Sequence, residues 1–249
     1  MVNGLYTASR GMSNILAKQD VNAQNLSNTN TNGFKLARIV NTTAVTVGRN
    51  EEGKLSQREY QNISEIETSF VQGPMVSTGN KFDVALNNSG FMQVETPDGV
   101  GYTRNGSLSL NAMGELVTLS GKRVLDQDGM PIDLKGQDPN SNTVQFMEDG
   151  GVYVNGKKSA TLGLVDFADT KKLKYGADGN FRNSDPVNNP PIAPSSVSVR
   201  SGFLEGSNVD PISTMITLMA EYRNYEADQK ALKAEDETLG KAVNEVGKV

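Results

Sequence analysis

Near the start of the chain, apolar positions recur at alternating three- and four-residue steps: Leu5, Ala8, Met12 and Ile15, then the polar Gln19 and Asn22, then Leu26. That spacing returns to one face of an α-helix and predicts a heptad-like seam on a helix of about 24 residues, roughly 36 Å long. Gly4 and Gly11 weaken it by up to about 1 kcal/mol each relative to Ala. The run Asn25 to Gly33 ends it, because Asn tolerates left-handed backbone and Gly33 suits a helix C-terminus. The far end repeats the pattern through Met215, Leu218, Tyr222, Tyr225, Leu232, Leu239, Val243 and Val246, interrupted by Gln229 and Asp236. Asp210 followed by Pro211 is a helix start, an N-cap with proline at the first helical position. This second helix runs about 36 residues, roughly 54 Å. Two long seams at opposite ends of one chain each need a partner, and the nearest candidate is the other end.

Between the ends the period shortens to two. Val84 to Leu86, Phe91 to Val94, Ser107 to Leu110, Leu116 to Leu119, Val144 to Phe146, Gly151 to Val154 and Leu162 to Phe167 are short runs of β-formers. Asp98-Gly99, Asn105-Gly106, Asp128-Gly129, Asp149-Gly150, Asn155-Gly156 and Asp178-Gly179 punctuate them as hairpin turns. Pro186, Pro190, Pro191 and Pro194 mark the exit from this region. The expected fold is α+β: N- and C-terminal helices form a coiled-coil-like terminal domain, and extended connectors join it to a central all-β domain. The boundaries read as 1–33 for the first helix, 34–76 for a connector with some strand, 77–194 for the β domain, 195–206 for the return connector and 207–249 for the last helix. The return segment Ser195 to Leu204 is the expected mate of the outgoing connector.

Composition narrows the chemistry. The 249 residues contain no Cys, no His and no Trp. Without Cys there are no disulfides, thiolate metal sites or cysteine nucleophiles. Without His the commonest general base and metal ligand are missing. Serine-histidine hydrolases, zinc enzymes and cysteine-histidine transferases all drop out. The 24 basic and 29 acidic side chains leave a net charge of -5, which disfavours broad contact with nucleic acid or anionic lipid. No span approaches the roughly 18 to 20 apolar residues of a membrane helix. The first residues lack a basic segment followed by an apolar block, so the expectation is a chain that stays in the cytosol or leaves without cleavage.

The remaining chemical candidates read as structure. Asp126-Gln-Asp128-Gly129 opens like a calcium loop, but position twelve would be Gln137 rather than a bidentate acid, and a hairpin turn accounts for it better. Glu51-Glu52 and Glu65-x-Glu67 are the obvious carboxylate pairs, and adjacent acids in polar stretches read as solvated charge. Lys171, Lys172 and Lys174 form the densest basic cluster, beside Asp166 and Asp169 and with no interleaved aromatics. Two amphipathic ends with partly polar seams leave two readings: a coiled coil closing a monomer, or ends that pack against neighbouring copies.

Asn25-Leu-Ser-Asn-Thr-Asn-Thr-Asn-Gly-Phe-Lys35 resembles the signature of the flagellar axial proteins, the rod and hook subunits, with Ser27 where the family usually has Ala. Leu204-Glu-Gly-Ser-Asn-Val-Asp210, leading into Met215 to Met219 and Tyr222 to Tyr225, is similar to that family's C-terminal end. Thr78 to Leu86, Gly90-Phe91 and Tyr102 to Gly106 resemble the block shared by rod and hook proteins. The resemblance implies a structural subunit with no catalytic residue, cofactor, metal or small-molecule substrate. Its partners would be copies of itself, other flagellar rod and hook subunits, and the flagellar type III export apparatus, with no nucleic acid and no membrane insertion. It would leave the cell interior uncleaved and reside in the periplasmic part of the basal body. Termini disordered in the free monomer would fold into an inner α-helical tube on polymerisation, with the β domain outside.

On that reading Leu5, Met12, Ile15 and Leu26 pack with Leu218, Tyr222, Tyr225, Leu232 and Leu239, within and between subunits. Asn25, Asn28, Gly33 and Phe34 form the turn that stops the first helix. Replacing Gly33 with Val is expected to impair assembly while leaving the melting of the β domain unchanged. The stretch from Leu36 to Gly73 has no proline and few glutamines, which favours the proximal over the distal of the two β-domain rod proteins. Alternatives are a hook-like axial subunit, a monomeric surface β domain that binds a ligand, and a carboxylate-based glycosidase.

Overall fold

The computed structural model describes residues 2–49, 55–134, 144–194 and 197–246, with side-chain surroundings described outside 2–8, 41–64, 239 and 242–246. The sequence-predicted Glu51, Glu52 and Gln137 lie outside the described residues. The chain is α+β and divides into two compact units: Met1–Ser27 with Ala37–Glu67 and Asp210–Val249, and Asn28–Leu36 with Thr68–Val209.

The first unit holds α1 (Val2–Ser27), β1 (Ala37–Arg49), β2 (Leu55–Thr68) and α2 (Pro211–Val246). α2 starts where its cap dictates. The Asp210 carboxylate accepts from the Ser213 hydroxyl at 2.7 Å and the Ile212 amide at 3.1 Å. These bonds hold its carboxyl below the usual range. The two helices run antiparallel, since Asn22 faces Glu221 and Gly11 lies close to Asp228. β1 and β2 pair with each other into a two-stranded ribbon, and Arg38 bonds Glu67 across it at 2.8 Å.

The second unit is the β region. β3 (Met75–Ser77) and β4 (Val84–Asn87) come first, followed by β5 (Phe91–Thr96), β6 (Gly99–Thr103), β7 (Leu108–Leu110) and β8 (Leu116–Thr118). Then come β9 (Val144–Phe146), β10 (Gly151–Val154), β11 (Lys157–Thr161), β12 (Leu164–Val165), β13 (Leu173–Tyr175) and β14 (Phe181–Asn183), and finally β15 (Ser198–Ser201) and β16 (Phe203–Glu205). The central sheet has the order β12-β5-β6-β14-β13, beside a three-stranded β11-β10-β9 sheet and short ribbons. Antiparallel hairpins dominate because the loops are short and carry turn residues. Asn155 and Gly156 both take positive φ, 53° and 77°, between partners Val154 and Lys157, as the dipeptide predicts. Asp126 accepts from the amides of Asp128 and Met130 at 2.9 and 2.8 Å, which makes that motif a hairpin turn.

The return segment pairs differently from expectation. β15 joins β4 and β16 joins β3, so of the outgoing connector Met75–Ser77 takes the expected mate while β1 and β2 take each other. Alternating polar and apolar residues in two adjacent long strands can satisfy the ladder locally, without a distant partner.

Alternate residues of these strands face one core of Val84, Leu86, Met92, Val94, Leu116, Ile132, Val152 and Leu162 with their neighbours. A second, aromatic cluster gathers Phe91, Tyr102, Phe167 and Phe181, with rings meeting edge to face. Leu86 is fully buried whereas Leu119 is 71% exposed. Leu86→Ala is therefore expected to lower unfolding stability by about 2 to 5 kcal/mol, and Leu119→Ala by no more than about 0.5 kcal/mol, by urea titration.

Candidate assembly site

In the first unit Met12, Ile15 and Leu26 of α1 are half-buried, as are Leu218, Tyr225 and Leu232 of α2. Leu5 and Leu239 lie outside the residues whose side chains are described. Tyr222 is 59% exposed. The sheltered line of α2 is Thr214, Leu218, Glu221, Tyr225, Asp228, Leu232 and Glu235, one residue off the line that sequence spacing picks at every second step. Polar bonds accompany this register. The Thr214 hydroxyl and amide both donate to the Asp210 carbonyl, at 2.8 and 3.0 Å. The Asn22 amide donates to both oxygens of Glu221 at 3.0 Å. The apolar side chains Ile212, Met215, Ile216, Met219 and Tyr222 are consequently 46 to 69% exposed.

Asn25 at the end of α1 is fully buried. Its side chain donates to the Ala37 carbonyl at 2.7 Å and accepts from the Ala37 amide at 2.9 Å. One side-chain amide thus stands in for a strand neighbour and ties the helix end to the start of β1.

In the second unit, the rest of the signature closes around a buried charge cluster. Lys35, Arg104 and Glu205 are 2%, 3% and 0% exposed. Glu205 accepts from Lys35 Nζ at 2.5 Å, Arg104 Nη1 at 3.1 Å and the Gly73 amide at 3.0 Å. Lys35 Nζ also donates to the Val71 carbonyl at 2.8 Å, and Arg104 Nη2 to the Asn88 carbonyl at 2.7 Å. Two cations share one anion. Burial pushes the Lys35 ammonium below the ordinary lysine value of 10.5, against the pull of Glu205. Asn208 clasps the neighbouring segments, accepting from the Leu36 amide at 2.7 Å and donating to the Ser69 and Val71 carbonyls at 2.9 Å each. Phe34 is buried edge-on against Tyr175, ring centres 5.3 Å apart. The Asn28 side chain accepts from the Thr31 hydroxyl at 3.0 Å and holds the turn.

Gly33 has a different task from the expected one. α1 ends at Ser27, and Gly33 takes φ +72° six residues later, its amide donating to the Glu205 carbonyl at 2.7 Å. A Cβ there would meet the Arg104 carbonyl carbon and the Asn105 amide nitrogen at 2.5 Å. The expectation that Gly33→Val spares the β region is therefore overturned, because that region supplies the backbone against which Gly33 packs. Sequence reasoning missed Lys35, Arg104 and Glu205 as a set. Each stands in a separate signature block, and no spacing rule joins positions 35, 104 and 205.

Gly33→Ala is expected to lower the melting point of the β unit by several degrees, through strain at positive φ and the backbone collision. Glu205→Gln leaves two buried cations without their anion and should cost about 3 to 5 kcal/mol. Lys35→Met keeps the Arg104 pair and should cost only about 1 to 3 kcal/mol, so the opposite order in urea titrations would refute the shared-anion arrangement. The lowered Lys35 value also sets a pH dependence. The unfolded chain binds this proton more tightly, so stability rises with pH through the window below 10.5 and levels off above it. The difference between wild type and Lys35→Met should grow over that window.

Three family models match in chain order. Residues 5–35 match the flagella basal body rod protein model, 85–154 the flagellar hook protein FlgE/F/G D1 domain, and 200–245 the flagellar basal body rod FlgEFG protein C-terminal. The chain is 31% identical to the flagellar basal-body rod protein FlgF of Caulobacter vibrioides over 250 residues, covering 100% of both chains. It is 32% identical to the FlgF rod protein of Escherichia coli, covering 97% of each. With the FlgG rod protein of Agrobacterium fabrum it shares 31%, over 95% of this chain and 96% of that one. Asn25, Gly33 and Lys35 fall in or at the edge of the first matched segment, Arg104 in the second and Glu205 in the third, so the parts that meet around the buried carboxylate are those the comparisons match, and the chain belongs to the flagellar basal-body rod proteins, structural subunits rather than enzymes.

Proposed function

We propose that this rod protein builds the periplasm-spanning drive shaft by polymerising through α1 and α2, which together form a coiled-coil-like terminal domain. The observation that carries the reading is the row of large apolar side chains that α2 leaves in water. Monomeric proteins rarely keep such a row uncovered, and each side chain buried by a neighbour contributes about 1.5 to 3 kcal/mol. A proximal place in the rod is favoured over a distal one. The FlgF of C. vibrioides aligns over 250 residues against the 249 here, without a sizeable insertion after the first helix.

The subunit travels through the flagellar type III apparatus with its N-terminus intact, and joins other rod and hook subunits outside the cytoplasm. Among the described residues no helix is long and apolar enough to cross a membrane. An N-terminal peptide that still contains the residues following Met1, recovered from the chain in isolated basal bodies, is the expected result.

Assembly is tested with Met12→Asp and Leu232→Asp in cells whose own copy is deleted. The β unit should melt as in wild type while the amount of chain in isolated hook-basal bodies falls by at least about tenfold, the effect of some 1.4 kcal/mol at each repeated contact. Wild-type incorporation of both variants would exclude assembly through the helices.

A further inference from the structure

Sulfur chemistry in this chain falls to methionine alone. There is no Cys, and with no His and no Trp other readily oxidised side chains are missing too, which leaves nine Met. An oxidant must touch the sulfur to react, so burial decides which of them are targets. Met92 is fully buried. Met215 and Met219 are 46 and 62% exposed and stand four residues apart on α2, so one face of the helix presents both thioethers a turn from each other. Met219 also lines, with Ala23 and Tyr222, an open groove of ≈ 490 Å³, ample for a molecule little larger than water. Met113 and Met130 are as exposed, but they stand in polar hairpin turns, where their amides donate to Asn111 at 2.9 Å and Asp126 at 2.8 Å. The pair on α2 instead stands among Ile212, Ile216 and Tyr222, all exposed. Oxygen added in the turns lands among polar groups, whereas on α2 it interrupts an apolar row.

We infer that Met215 and Met219 form an oxidant-sensitive modification site, at which conversion of the thioethers to sulfoxides keeps the subunit out of the rod, an inference that rests on assembly through the helices. A sulfur lone pair attacks one oxygen of hydrogen peroxide, the O–O bond breaks, an S–O bond forms and water leaves. Sulfur gives up two electrons and the peroxide takes them. The product is a polar, chiral sulfoxide with a strong acceptor oxygen, on a side chain that carried only a weak one. A neighbour that covers the row must then remove this oxygen from water with no donor to meet it, and association weakens. The change is reversible, since methionine sulfoxide reductase with a thiol donor releases the oxygen as water and restores the thioether. The same cover excludes oxidant, so the site acts on the free subunit and closes once the contact has formed.

The test uses the full-length chain and hydrogen peroxide. Peptide masses after a short exposure of the purified chain should show oxygen added at Met215 and Met219 at least about tenfold faster than at Met92. In cells whose own copy is deleted, Met215→Gln with Met219→Gln, a polar side chain of similar length, should lower the chain in isolated hook-basal bodies by at least about tenfold. Peroxide given to wild-type cells while rods assemble should lower incorporation, and Met215→Leu with Met219→Leu, read against its own untreated level, should show no fall. Finished basal bodies exposed to peroxide should keep both thioethers. Wild-type incorporation of the Gln variant would overturn the inference. So would a peroxide response that is alike in wild type and the Leu variant, sulfoxide at both positions in finished basal bodies, or equal reactivity of Met92 in the free chain. Full incorporation of Met12→Asp and Leu232→Asp would instead overturn assembly through the helices, a result distinguishable from all of these.

Discussion

A carboxylate in a dry interior is tolerable only when cations and donors reach it, and Glu205 is such a carboxylate. It receives Lys35, Arg104 and the Gly73 amide together, so segments around residues 33–36, 71–73, 88–104 and 205–208 must be in place at once. The glycines make the approach possible. At Gly73 a Cβ would sit 2.1 Å from the Gly206 carbonyl oxygen, and at Gly33 it would strike the backbone at Arg104. The β unit therefore includes residues 28–36 and the segment up to Val209, well beyond the strands that alternate in sequence.

The helical unit follows the opposite logic. Its internal contacts are partly polar, with Asn22 on Glu221, and Ile212, Met215, Ile216, Met219 and Tyr222 of α2 are exposed. Of the apolar side chains on its two helices, Val21 is buried and Met12, Ile15, Leu26, Leu218, Tyr225 and Leu232 are only half-buried. What it retains is unspent apolar surface, available where a repeated contact can use it. On the assembly proposed above, charge and close packing fix the β unit, and association is left to the helices.

Much of the architecture was legible in the chain. The three- and four-residue steps gave α1 and α2, and Asp210-Pro211 gave the start of α2 to the residue. Turn dipeptides such as Asn155-Gly156 marked hairpins, because positive φ at two successive positions is a local demand that few residues meet. Less was legible about faces. Tyr222 reads as a seam residue by spacing, yet it is exposed in the monomer while Glu221 is half-buried and bonded to Asn22.

Local periodicity and turn chemistry are properties of a few neighbouring residues, so the sequence by itself determined where helices, strands and many turns lie, and its lack of Cys and His determined which chemistries it cannot perform. The tertiary structure alone decided that β1 pairs with β2, that β15 and β16 return to β4 and β3, and that residues 35, 104 and 205 share one buried charge cluster. It also decided that Gly33 is required by the backbone at Arg104 and not by the helix end. Such choices depend on desolvation and close approach between segments far apart in the chain, and no local pattern encodes the distance between them.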